Sequence, residues 1–113
     1  MKVFISQKMR NKTPEEIKAE REKIQASFIK YIEGKECEFI KSYLPELKFK
    51  DPITALSQSL ALLAEADVVL IPFESTLVDM NKDPRGCEFE YAISKAYGKK
   101  IITYDGTFLR EIN

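Results

Sequence analysis

The stretch Asp67-Val68-Val69-Leu70-Ile71-Pro72 decides how the rest of the chain is read. It is a continuous apolar run with no alternating polar positions, the pattern expected of a parallel strand covered on both faces. Upstream, Asp51-Pro52 opens a predicted helix with Ile53, Leu56, Leu60 and Leu63 on one stripe. Downstream, Asp83-Pro84 repeats the cap-then-proline signal, and the helix it opens has Phe89, Ala92, Ile93 and Ala96 as its predicted buried stripe before Gly98 stops it. Lys100 to Tyr104 (KIITY) then reads as another strand.

The N-terminal part has the same rhythm. Lys2 to Ser6 (KVFIS) is a short β-rich run, and Thr13 to Glu33 follows with Ile17, Ile24, Phe28, Tyr31 and Ile32 at helical spacing. Thr13 is placed to cap, Pro14 to take the first helical position, Glu16 to reach back, and Gly34 to supply the left-handed stop. Glu36 to Ile40 (ECEFI) is the remaining predicted strand. Four strands alternating with three helices imply right-handed crossovers and a parallel sheet. The expectation is an α/β, flavodoxin-like (Rossmann-like) three-layer sandwich with a four-stranded parallel sheet of order 2-1-3-4, built as one domain over residues 1–113. Ligands of such sheets bind outside the carboxyl ends of the strands at the switch point, which selects Ser6 to Lys12, Phe73 to Arg85 and Tyr104 to Thr107.

Composition narrows the chemistry. The 113 residues are 44% hydrophobic and 32% charged, with 18 basic and 18 acidic side chains, so there is no net positive field of the kind nucleic-acid binders and polybasic membrane-surface proteins use. Histidine is absent, which removes imidazole-based triads and histidine-ligated zinc sites and leaves acid–base chemistry to carboxylates, Lys, Tyr or Cys. Two cysteines, Cys37 and Cys87, are too few for a disulfide framework, and no N-terminal segment reads as a signal peptide, so a reduced, cytoplasmic setting is expected. No apolar run approaches the ~20 residues of a membrane span. Neither a metal nor a cofactor is expected, and the partners expected are small molecules or proteins.

The segment Ser6-Gln7-Lys8-Met9-Arg10 enters the first helix, where amides and cations favour an anion, although without glycine it is neither a P-loop nor a dinucleotide fingerprint; a polar, solvated loop is the plainer reading. The connection from Phe73 through Glu74 to Asp83 is long for an α/β unit, the length of a lid or of an ordinary surface loop. Glu90 lies about two turns into the third helix, with Gly86, Ile93 and Tyr97, beside the predicted apolar stripe. A carboxylate there is partly desolvated, as suits a nucleophile or acid–base group, whereas Glu88 is expected to face another way.

Ala66-Asp67-Val68-Val69-Leu70-Ile71, Arg85-Gly86-Cys87-Glu88-Phe89-Glu90-Tyr91-Ala92 and Tyr97-Gly98-Lys99-Lys100-Ile101-Ile102 together resemble the nucleoside 2-deoxyribosyltransferase family, including its deoxynucleoside 5′-monophosphate N-glycosidases. Gly86, Glu90 and Gly98-Lys99 keep the family's spacings, and Val3-Phe4-Ile5-Ser6-Gln7 looks like its first strand and substrate loop. The resemblance implies that Glu90 attacks the anomeric carbon and releases the base. Asp83 is the candidate second carboxyl, to protonate that base, with Ser6, Gln7, Lys8, Met9, Arg10, Phe73, Glu74, Arg85 and Gly86 around the substrate. A nucleoside or, if Lys8, Arg10 or Arg85 faces the pocket, a nucleotide is the implied substrate, and a homodimer or larger homo-oligomer the implied assembly. The chain departs from the family at Asp83-Pro84-Arg85, Glu88 and Ala92, which bears on the substrate.

Two other readings stand beside this one. TIR-like NAD glycohydrolases also open on a Val-Phe-Ile-Ser type strand and set a catalytic glutamate three residues after a cysteine, as Cys87 and Glu90 are set. A non-catalytic nucleotide-binding or sensor module is the third, since this kind of sheet hosts unrelated functions.

Overall fold

The computed structural model describes residues 1–43 and 51–112. Its elements run β1 (Lys2–Ile5), α1 (Pro14–Tyr31), β2 (Glu38–Phe39), α2 (Pro52–Leu63), β3 (Val68–Pro72), a 3₁₀ turn (Phe73–Thr76), α3 (Gly86–Ala96), β4 (Lys100–Asp105) and β5 (Phe108–Ile112). The fold is α/β, with the sheet in the order β2-β1-β3-β4-β5. The first four strands pair in parallel and β5 pairs antiparallel to β4.

Alternation within the strands sends side chains to two separate cores. Val3, Ile5, Val68, Leu70, Ile102 and Tyr104 pack under Ile24 and Phe28 of α1. Phe4, Val69, Ile71 and Ile101 face the other way, against Leu63 with Leu60 of α2 and Tyr91 of α3. Because β3 serves both layers, Val68 to Ile71 are all buried, which is why that stretch carries no polar alternation. Helix α1 begins as its sequence predicts: the Glu16 amide donates to Thr13 Oγ1 (3.1 Å), and the Thr13 amide donates to the Glu16 carboxylate (3.0 Å). Gly34 and Gly98 follow α1 and α3 at φ of +75° and +72°, the left-handed region that favours glycine.

Several expectations need correction. The sheet is mixed and five-stranded rather than four-stranded and parallel, because Gly106 (φ +60°) and Thr107 form a two-residue turn that folds Phe108–Ile112 back onto β4. β2 spans only Glu38–Phe39 of the predicted five-residue run Glu36 to Ile40. Ile53, predicted on the buried stripe of α2, is 77% exposed, in a helix start whose residues 51–54 are all exposed. α3 begins at Gly86 and not at Pro84, because Asp83 sits at φ +39° while Arg85 has the extended geometry a cap requires.

The buried stripe of α3 also differs: it is Cys87, Glu90 and Ser94, while Phe89, Ala92 and Ile93 are half-buried and Ala96 is exposed. The Gly98-Lys99 pair has a structural use, since Lys99 Nζ donates to the carbonyls of Ala64 and Ala66 (2.8 Å each), satisfying acceptors at the end of α2. No helix among the described residues is long and apolar enough to cross a membrane. Phe28 is fully buried beneath the sheet, so Phe28→Ala should lower the unfolding free energy by about 3–5 kcal/mol in a denaturant titration.

Candidate active site

A cleft of about 440 Å³ opens where the segment leaving β1 meets α2 and the start of α3. One wall is formed by Gln7, Lys8, Met9 and Arg10 and the opposite one by Arg85, Gly86, Cys87 and Glu90. Its third side is α2, where Pro52, Ala55, Leu56 and Ser59 present small or apolar groups. Three cations and one carboxylate thus share the cleft with a largely apolar side.

Glu90 is the chemically distinctive member. It is 6% exposed, and its Oε1 accepts a 2.6 Å hydrogen bond from Ser6 Oγ, which lies behind the cleft wall at the end of β1. Burial pushes its carboxyl up from 4.5 to about 7; the Ser6 hydrogen bond opposes that rise and the nearby Glu88 carboxylate adds to it. At neutral pH both protonation states are therefore accessible. Burial likewise pushes the neighbouring Cys87 thiol up to about 12, which keeps it protonated and a poor nucleophile.

The other candidate residues separate into distinct groups. Gln7 lines the cleft, yet its Nε2 donates to the Ile17 carbonyl and the Glu20 carboxylate (2.9 Å each), and its Oε1 accepts from Arg21 (3.2 Å). Both amide hydrogens are committed inside the protein, so Gln7 has no side-chain donor left for a ligand. Lys8 sits between Glu74 (3.5 Å) and Glu88 (4.0 Å), and Arg85 pairs with Asp83 (2.9 Å). Arg10 has no carboxylate partner among the described residues, which leaves it the cation most available to an anion in the cleft.

Phe73, Glu74 and Asp83 do not line the cleft. Asp83 is exposed and held to Arg85, because its left-handed backbone keeps it outside the helix it was expected to cap. Glu88 is 2% exposed rather than turned away, because its Oε1 accepts from the Arg85 amide (2.9 Å) and folds the side chain back over the start of α3. Glu90 shares its buried face with Cys87 and Ser94, while Ile93 is half-buried and Tyr97 is 81% exposed. The α2 wall was not anticipated from sequence; Ala55 and Ser59, small residues one turn apart, are the signal that marks it. Among the described residues there is no group of three metal-ligating side chains.

Compared with known proteins, the chain matches no family model, no curated protein and no solved structure.

Because Glu90 binds its proton more tightly folded than unfolded, it contributes stability below about pH 4.5 that is lost as pH rises through about 7. Glu90→Gln keeps an acceptor for Ser6 and removes the titration. Its unfolding free energy should match the wild type near pH 4.5 and exceed it at pH 8, by on the order of 3 kcal/mol. Chemical denaturation at the two pH values checks this, and an equal difference at both would show that Glu90 does not titrate with a raised midpoint.

Proposed function

We propose that this protein cleaves or transfers the N-glycosidic bond of a (deoxy)nucleoside or nucleoside 5′-monophosphate, with the Glu90 carboxylate as nucleophile. The observation that carries the reading is the buried Glu90 carboxylate, oriented by the Ser6 hydroxyl, in the wall of a cleft whose other charged lining residues are cations. The resemblance of the Gly86, Glu90 and Gly98-Lys99 spacing to the deoxyribosyltransferase family agrees with it, as does the parallel core of the sheet, which fits a flavodoxin-like frame.

In this reaction a Glu90 oxygen attacks the anomeric carbon, the carbon–nitrogen electron pair departs with the base, and the base takes up a proton. Water or a second base then opens the glycosyl ester and returns Glu90 to its carboxylate. The ionised form is the attacking form, so burial that raises the Glu90 midpoint also makes the rate climb as pH rises through about 7. Asp83 delivers a proton to the leaving base only if its pair with Arg85 opens. The apolar face of α2 suits a base, and Arg10 suits a 5′-phosphate. A cytoplasmic homodimer or larger homo-oligomer accompanies the reading; the apolar set Ile17, Ile24 and Phe28 is buried in the protomer and takes no part in assembly.

The test is release of free base from deoxynucleosides, their 5′-monophosphates and NAD, followed by chromatography with wild type and Glu90→Ala in parallel. Base release that vanishes in the variant is expected. Nicotinamide release from NAD alone would favour the TIR-like reading, and ligand binding without release a sensor module. If a monophosphate is the substrate, Arg10→Ala should raise its KM about tenfold and leave kcat nearly unchanged, as expected for one lost charged hydrogen bond. An unchanged KM would remove Arg10 from phosphate binding.

A further inference from the structure

Tyr104 near the end of β4 has a buried hydroxyl with one partner among the described residues, and that partner leads to Glu90. Its Oη donates to the backbone carbonyl of Ser6 at 2.7 Å. Ser6 is thereby held at three points: its amide donates to the Leu70 carbonyl (2.8 Å), its carbonyl accepts from Tyr104, and its Oγ donates to Glu90 (2.6 Å). Tyr104 is 8% exposed and Ser6 1%, so solvent does not compete for these bonds.

We propose that Tyr104 is a positioning residue for Glu90, fixing the Ser6 backbone so that the Ser6 hydroxyl holds the Glu90 carboxylate at the cleft wall. This rests on the reading of Glu90 as the functional group. The geometry is suited to the task, because Ser6 follows the last residue of β1 and lies where the chain turns toward the cleft. Without an anchor on its carbonyl, Ser6 keeps only its amide bond to Leu70, and its hydroxyl is less firmly directed at Glu90. The groups around the phenol are Arg21 and Glu20 from α1, Cys87 from α3 and Glu74 from the 3₁₀ turn, and burial holds it protonated, as a donor must be. The groups that act on Glu90 are Ser6 and Glu88.

The experiment is Tyr104→Phe, Ser6→Ala and the double variant, with the Glu90 carboxyl carbon followed by NMR titration in the unliganded protein and base release measured alongside. Loss of a hydrogen bond to the ionised carboxylate raises its midpoint. Both single variants should shift Glu90 upward, and the double variant should shift it no further than Ser6→Ala. Where base is released, kcat at pH 7 should fall about tenfold in Tyr104→Phe with little change in KM. A Glu90 midpoint unmoved in folded Tyr104→Phe overturns the proposal, as does a double variant in which the shifts add, since Tyr104 would then act independently of Ser6. Ser6→Ala supplies a second decision if Tyr104→Phe fails to fold, because an unmoved midpoint there removes the link on which Tyr104 depends. Absence of base release in the wild type refutes the glycosidic reading and leaves the titration to decide this one.

Discussion

Burial of β3 on both faces is the constraint on which the rest of the structure depends. Val68 and Leu70 belong to the core under α1, and Val69 and Ile71 to the core under α2 and α3, so one strand joins two otherwise separate apolar clusters. Its register also places β1 and β4 on either side of it. Ser6 inherits its position from that pairing, through its amide bond to the Leu70 carbonyl, and the cleft inherits its wall from Ser6. The position of the cleft is thus referenced to the strand that is buried on both faces.

α3 departs from the ordinary logic of an amphipathic helix. Its buried face carries a thiol, a carboxylate and a hydroxyl, with its longer apolar side chains only partly covered. A buried carboxylate is unfavourable unless it is hydrogen-bonded or neutral, and Glu90 has the Ser6 hydroxyl together with a raised midpoint. The apolar cores on both sides of the sheet offset the cost of burying it.

Several polar residues of the kind that contact ligands work inside the protein instead. Gln7 ties the β1 segment to α1 through Ile17, Glu20 and Arg21. Arg21, whose burial lowers its pKa, also donates to Ser42 and the Ile40 carbonyl, linking α1 to the segment after β2. Lys99 closes the end of α2. Residue type alone would count all three as binding groups; their partners show otherwise, because each already donates to acceptors within the protein.

What the sequence by itself determined was the class of the fold. Apolar runs and cap signals are local, so Asp67 to Pro72, the Thr13-Pro14-Glu15-Glu16 start and the stops at Gly34 and Gly98 could be read without knowing what packs on what. Tertiary structure alone decided which face of α3 turns inward, where Glu88 folds, and that Phe108 to Ile112 returns to the sheet as a fifth strand. It also decided that Tyr104, Ser6 and Glu90, far apart in the chain, form one hydrogen-bonded line. The reason is physical: helical spacing and turn chemistry act over a few residues, whereas burial and hydrogen bonding of a polar side chain depend on which distant elements meet it.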